Sequence, residues 1–197
     1  MNDEEFISAV HRHRDEPAAC LEFQPRIEKL VDFEHCRQIC DFVHGFEAKW
    51  ERHVATSSLH TTLPRERGVY MFVWRPPFEF AFDPNGKECV NYILYVGKAG
   101  IENGTTDTIR DRYYSEYRKF VNCDPNTLWD RTADTTREQR LRKFLNLRPL
   151  EFWMLPLPLI DAKEIELVER QLIRVFNPPI NRTHGTRLRP SKPEPAF

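Results

Sequence analysis

The stretch NYILYVGKAG, residues 91–100, ends an apolar run with a tyrosine and a lysine on either side of a glycine. These residues are Tyr95, Lys98 and Gly97. A tyrosine hydroxyl can order or deprotonate a water molecule, and a lysine can neutralise a phosphate. One interpretation is that the two side chains line a functional site. The alternative is a core tyrosine followed by a solvated turn lysine.

Lysines and arginines are concentrated in three clusters in the second part of the chain. The clusters are Arg110, Arg112, Arg118 and Lys119; Arg137, Arg140, Arg142, Lys143 and Arg148; and Arg182, Arg187, Arg189 and Lys192. An arginine can hold a phosphate through paired hydrogen bonds, and nucleic-acid-binding proteins often place basic charge on one face. Charge alone favours the alternative, in which these residues form solvated helix faces.

Glutamates recur in the segment 161–177, as Glu164, Glu166 and Glu169. A carboxylate on a rigid helix is a natural ligand for Mg²⁺, because that ion keeps most of its waters and takes few protein ligands. A divalent ion held in this way can supply positive charge and an activated water. Each of the three could equally be a surface glutamate.

Hydrophobic patterns predict the elements that would position these residues. The predicted strands are residues 68–75, 89–97 and 149–158, and the predicted helices are residues 108–120, 134–146 and 161–177. The turn signal FDPNGKE at 82–88 makes the first two strands an antiparallel hairpin. This order predicts an α+β domain with a small three-stranded mixed or antiparallel sheet flanked by helices.

The first 60 residues differ in charge from the rest. They carry seven lysines and arginines against twelve acids, whereas the remainder carries 22 against 18. We therefore predict an acidic helical extension at residues 1–60, a domain at 61–183, and a basic Pro-rich tail at 184–197.

Two helices are predicted in the extension, at residues 3–14 and 32–54. The second carries a heptad-like apolar stripe of Phe33, Cys36, Cys40, Val43, Trp50 and Val54. Residues 55–67 are interpreted as a linker.

Cys36, Cys40 and His44 recur every four residues and form a competing candidate site. Cysteine and histidine bind zinc, but a structural site needs four ligands, usually from separate elements. We therefore predict that these three are packing residues and not a metal site.

Membrane and disulfide-stapled classes are disfavoured. No apolar run approaches the roughly 20 residues that span a bilayer, and the acidic start MNDEEF lacks the pattern of a secretory signal. Five scattered cysteines, an odd number, favour a reducing compartment. We expect a cytoplasmic protein without a membrane partner.

Four fragments, in this order, resemble the GIY-YIG nuclease superfamily. They are GVY at 68–70, YVGKA at 95–99, TIRDRYYSEY at 108–117 and VERQLIRVFNPPIN at 168–181. Their order, spacing and predicted elements all agree with that family, and the last fragment is the most specific. The resemblance covers about residues 66–182, and the first 60 residues have no counterpart in the minimal family module.

The resemblance implies a DNA endonuclease that depends on Mg²⁺ or Mn²⁺, with RNA not excluded. It places two strand tyrosines in one cleft, a phosphate-binding arginine beside them, and a metal-binding glutamate on the last helix. The implied catalytic residues are Tyr70, Tyr95, Lys98, Arg112, Tyr117 and Glu169, with Gly68, Gly97 and Asn181 as structural residues near the site.

One position departs from the family pattern. Many members carry a histidine or tyrosine four residues after the arginine, but Glu116 lies four after Arg112. Tyr117 is one residue further on, and Tyr113 is nearby. If Arg110 is the phosphate-binding arginine instead, Tyr114 falls in the expected place. The general base and the arginine register stay open at this point.

Two alternatives to an independent nuclease follow from the same residues. The chain could keep the fold as an inactive nucleic-acid-binding module, or it could cleave only when residues 1–60 bind a protein partner. One site with one metal cuts one strand at a time, so we expect a homodimer through residues 1–60 where both strands are cut.

Overall fold

The computed structural model describes residues 3–18, 21, 23, 25, 27–46, 48–81, 86–102, 105–130 and 136–181. Most of the predicted turn at 82–88 and the whole predicted tail at 184–197 lie outside them.

Along the described chain, three helices come first, most of the strands follow, and three more helices surround the last strand in sequence. The helices are α1 (Asp3–His13), α2 (Ile27–Leu30), α3 (Phe33–His44), α4 (Ile109–Arg112), α5 (Arg137–Phe144) and α6 (Ala162–Phe176). The strands are β1 (Glu51–Val54), β2 (Gly68–Trp74), β3 (Glu79–Ala81), β4 (Lys87–Cys89), β5 (Tyr92–Ala99), β6 (Ile101–Glu102), β7 (Thr105–Thr106) and β8 (Leu150–Pro156). Single 3₁₀ turns lie at Leu59–Thr61 and Pro125–Trp129, and a π-helical turn lies at Tyr113–Tyr117. No helix among the described residues is both long and apolar enough to span a bilayer.

A four-stranded antiparallel sheet in the order β1-β8-β2-β5 forms the centre of the protein. The α+β class and the antiparallel pairing of β2 with β5 are confirmed. The prediction of three strands is wrong, because β1 adds a fourth strand at the edge beside β8. The predicted helix 32–54 ends at His44, and residues 51–54 are this extra strand.

The central sheet separates two apolar clusters, because side chains alternate between the faces of a strand. From β2, Tyr70 and Phe72 join the cluster that contains the π turn and α5. Val69, Met71 and Val73 join the cluster formed with α6. This alternation places Tyr70 on the same side of the sheet as the π turn.

The segment 55–67 is not a linker, as the sequence suggested, but part of the core. Ala55, Leu59 and Leu63 are buried in the cluster that holds Tyr70. The predicted extension is therefore continuous with the sheet through β1 and through this segment.

Helix α3 packs less completely than its apolar stripe predicted. Val43 is buried, but Phe33 is 79% exposed. Cys36 is half-buried, while Cys40 and His44 are exposed. The prediction that all three are packing residues is wrong for Cys40 and His44, since they face solvent.

Side-chain caps fix where the helices around the site begin. Thr108 begins α4, Thr136 begins α5 and Asp161 begins α6, and each side chain accepts a hydrogen bond from a backbone amide in the first turn. Such caps contribute about 1 kcal/mol each. They make Arg137 the first residue of α5 and place Arg112 in the first turn of α4.

Candidate active site

A cleft of about 290 Å³ lies between the sheet, the π turn, α5 and α6. All six side chains for which the resemblance implies a catalytic role line it, namely Tyr70, Tyr95, Lys98, Arg112, Tyr117 and Glu169. Glu116, Arg137, Glu166 and Arg170 line it as well. The structure thus brings the implied residues together, while their chemical roles stay predictions.

Three tyrosine hydroxyls meet at the base of the cleft. The hydroxyl oxygens of Tyr70 and Tyr117 lie 2.8 Å apart, and the Tyr117 hydroxyl donates to that of Tyr95 at 3.3 Å. Burial, reinforced by the neighbouring tyrosines, raises the pKa of Tyr70 and of Tyr117 well above the ordinary range. Both therefore keep their protons at neutral pH and can donate hydrogen bonds.

Two glycines permit close approaches in the central sheet, Gly97 to the Tyr70 ring and Gly68 to the backbone of β8. Gly97 lies opposite Tyr70 in the β2–β5 register, and a Cβ on Gly97 would lie only 2.6 Å from the Tyr70 ring. A Cβ on Gly68 would overlap the carbonyl oxygen of Leu155 on β8. The pattern Gly-x-Tyr on one strand and Tyr-x-Gly on the next is thus a packing requirement of this site.

The substitution Gly97→Ala is expected to destabilise the fold by about 1–3 kcal/mol, because the Tyr70 ring must move to admit the new methyl group. Gly100→Ala is the matched control, since its Cβ would meet nothing within 4 Å. Denaturant unfolding of both variants measures the difference. Equal stability of the two variants would contradict the packing argument.

Arg112 and Arg110 occupy different places. Arg112 faces the cleft, where it binds Asp107 at 3.0 Å and also Glu116. Arg110 donates to the Leu63 carbonyl at 2.6 Å, in the buried segment before β2. Of the two registers that the sequence left open, the structure places Arg112 in the cleft.

The tyrosine that reaches the cleft lies five residues after Arg112, because residues 113–117 form a π turn. The amide of Arg118 donates to the carbonyl of Tyr113 at 2.9 Å, an i→i+5 bond. A π turn holds one residue more than an α turn. Tyr117 therefore takes the position that a residue four places on would have in an α-helix.

The other two tyrosines of this turn point elsewhere. Tyr113 donates to the Thr56 carbonyl at 2.7 Å within the core. Tyr114 is 48% exposed, with Arg118 stacked 3.8 Å from its ring centre. Tyr117 is thus the one tyrosine of this turn that lines the cleft.

Arg137 is a cleft residue that the sequence placed only in a basic cluster. It donates to the hydroxyls of Tyr95 at 3.0 Å and Tyr117 at 2.8 Å, and to Glu116 at 2.8 Å. A signal for it existed: an arginine in the first turn opposes the helix dipole of α5 and so needs a compensating partner. Burial alone would lower the pKa of Arg137, but the tyrosines and Glu116 raise it above its ordinary value.

Glu116 joins the two arginines of the cleft. Burial alone would raise the pKa of its carboxyl, but the hydrogen bonds from Arg112 and Arg137 outweigh that effect and lower it. The carboxylate is therefore ionised at neutral pH.

Helix α6 supplies the acidic wall of the cleft. Its buried stripe includes Ile165, Val168 and Leu172, which fixes the helix against the sheet. Glu166 and Glu169 lie three residues apart on one face, and both line the cleft. Glu166 binds Lys98 at 3.0 Å and also binds Arg170.

Asn181 ties the chain after α6 to the strand that carries Tyr95. Its side-chain oxygen accepts from the Val96 amide at 2.8 Å, and its side-chain nitrogen donates to the Val96 carbonyl at 2.7 Å. These two bonds replace a neighbouring strand at that point of β5. They hold the end of β5 in place directly before Gly97.

The acidic side chains that line the cleft are Glu116, Glu166 and Glu169. Among the described residues, no three His, Cys, Asp or Glu side chains gather as a ligand group. An ion here would be held by Glu169 and completed by waters, which suits Mg²⁺ or Mn²⁺ and does not suit structural zinc.

Comparisons of this chain with models of protein families, with curated proteins and with solved structures found no match. The likeness to GIY-YIG nucleases accordingly rests on the four sequence fragments.

Proposed function

We propose that the chain is a divalent-metal-dependent endonuclease of the GIY-YIG type that hydrolyses phosphodiester bonds in DNA. The observation that supports this most is the cleft itself, where six implied residues from β2, β5, α4, the π turn and α6 converge. The proposal includes restriction-, homing- and repair-type enzymes, and RNA is the alternative substrate.

The phosphate is held by the basic side of the cleft. Arg112 presents a planar guanidinium that can pair with two phosphate oxygens, and Lys98 contributes a point charge at the end of β5. In a site of low water content, such groups stabilise the charge that develops on the phosphate in the transition state.

The attacking water is ordered by the tyrosine hydroxyls. Tyr70 and Tyr117 are neutral donors, while Tyr95 receives hydrogen bonds from Tyr117 and Arg137. With both of those bonds accepted, the Tyr95 hydroxyl can turn its own proton toward the cleft. Tyr95 is therefore the hydroxyl of the three that can donate to the water, while Tyr117 and Tyr70 hold that hydroxyl in position.

Glu169 is the metal ligand in this proposal. A bound divalent ion supplies positive charge to the phosphate and lowers the pKa of a coordinated water. The carboxylate projects from the rigid α6, whose buried stripe prevents its displacement.

Binding and cutting of one labelled DNA duplex, measured in parallel with Mg²⁺, test the proposal. We expect both binding and cutting. Binding without cutting would instead establish the inactive nucleic-acid-binding module. Cutting only after a cell extract is added would favour a nuclease that depends on a protein partner.

Double-strand cleavage requires two copies of the chain, and residues 1–60 are the proposed contact. Exposed apolar side chains lie there, with Ile27 70%, Val31 59% and Phe33 79% exposed. We expect a dimer in light scattering at the concentration where plasmid is linearised, and sequential nicking from a monomer. Concerted linearisation by a strict monomer would rule the dimer out.

A further inference from the structure

Glu116 lies where the catalytic cleft meets a second groove. Its carboxylate contacts Arg112 through Oε1 and Arg137 through Oε2, the latter at 2.8 Å. The second groove, of about 460 Å³, runs between the π turn and α5. Both grooves are lined by these same three residues, so they adjoin at this point.

A carboxylate between two guanidinium groups occupies the place that two phosphate oxygens would take. Arginine binds carboxylates and phosphates in the same way, through charge-assisted and often paired hydrogen bonds. Arg112 ends α4 and Arg137 begins α5, so the two cations approach one anion from two different elements.

Both arginines are also held by groups other than Glu116. Arg112 binds Asp107 at 3.0 Å, and Arg137 binds the hydroxyls of Tyr95 and Tyr117. If Glu116 moves away, these contacts keep the guanidinium groups in position. The Glu116 side chain is 24% exposed, so an incoming anion can reach it.

Resting on the proposed function, we propose that Arg112 and Arg137 form a phosphate clamp whose resting occupant is the Glu116 carboxylate. The substrate phosphate displaces that carboxylate, which competes with every anion for the two arginines. Because the clamp lines both the cleft and the second groove, it suits a phosphodiester strand that continues past the cleaved bond along the surface.

The first test of the clamp uses inorganic phosphate as the probe, with chelator present. The measurement is the rise in unfolding temperature that phosphate produces, relative to chloride at the same ionic strength. In Glu116→Gln, which removes the competing charge, the phosphate concentration at half effect should be about tenfold lower than in the native chain. Glu138→Gln is the matched control. It removes the same charge from the same groove, but its carboxylate pairs with Lys119 at 3.2 Å.

Removing the second cation tests the role of Arg137. Arg137→Ala should lose most of the phosphate response, whereas Arg142→Ala, on the exposed side of the same helix, should keep it. Should Arg137→Ala unfold, Arg137→Lys replaces it, since lysine keeps the charge but cannot donate in paired geometry. An intact response in the folded variant would overturn the clamp.

Cleavage of plasmid with Mg²⁺ by the same proteins separates this inference from the proposed function. If Glu116→Gln binds phosphate no more tightly than Glu138→Gln, the clamp is wrong, even where the native chain cuts DNA. If the clamp pattern appears but the native chain cuts neither DNA nor RNA, the nuclease proposal fails and the clamp stands as an anion site.

Discussion

Glu169→Gln should reduce plasmid cleavage by about 100-fold or more, equivalent to about 2.7 kcal/mol on the barrier. Glutamine keeps the size and hydrogen-bonding shape of the side chain but removes the charge that would hold the divalent ion. DNA affinity should be unchanged or higher, because binding rests on basic side chains and a nearby negative charge is lost.

The matched control for this change is Glu164→Gln, which removes the same charge from an exposed position on α6 outside the cleft. Plasmid cleavage and equilibrium DNA binding are measured on both variants at one salt concentration. Full cleavage activity in Glu169→Gln, or an equal loss of activity in both variants, would contradict the assignment of Glu169 as the metal ligand.

Arg112→Ala should abolish cleavage, whereas Arg110→Ala should keep most of the cleavage and mainly lower the stability of the fold. Arg112 lines the cleft, and loss of a phosphate-binding group there should lower the cleavage rate by about 10²–10³-fold. Arg110 donates to the carbonyls of Leu63 and Thr61, so its loss should cost about 1–3 kcal/mol of stability.

Cleavage rates and thermal unfolding of the two arginine variants decide between the registers. An inactive but stable Arg110→Ala beside an active Arg112→Ala would show that the arginine register is wrong. In that case Tyr114 would become the tyrosine to test next.

Strongly patterned segments were predictable from sequence alone. Strands β2, β5 and β8 are rich in aromatic and aliphatic residues, and α6 has an unbroken apolar stripe between a cap and a pair of prolines. The strands are buried within the sheet and α6 is buried against it. Burial depends on side-chain type, and side-chain type is what such sequence patterns show.

The edge strand β1 was not predictable in the same way. Glu51-Arg52-His53-Val54 contains a single aliphatic residue, and the strand forms because its backbone pairs with β8. Backbone pairing at a sheet edge requires no apolar side chain, and charged residues are common there. The predicted helix at 32–54 therefore includes residues that belong to β1.

Two features of the candidate site depend on tertiary structure. Because the π turn holds one extra residue, Tyr117 is the residue that lines the cleft. The helix propensities of the amino acids do not distinguish a π turn from an α turn. Arg137 is the first residue of α5, and its partners lie on β5 and in the π turn. No local pattern links residues so distant in sequence.

The proposed metal-dependent hydrolysis is tested most directly by a titration of the native chain with Mg²⁺, starting in excess chelator, on supercoiled plasmid. We expect no nicking in chelator, and a nicking rate that rises and saturates as free Mg²⁺ increases, with Mn²⁺ able to replace it. Undiminished nicking in excess chelator, or none with either ion, would contradict metal-dependent cleavage by this cleft.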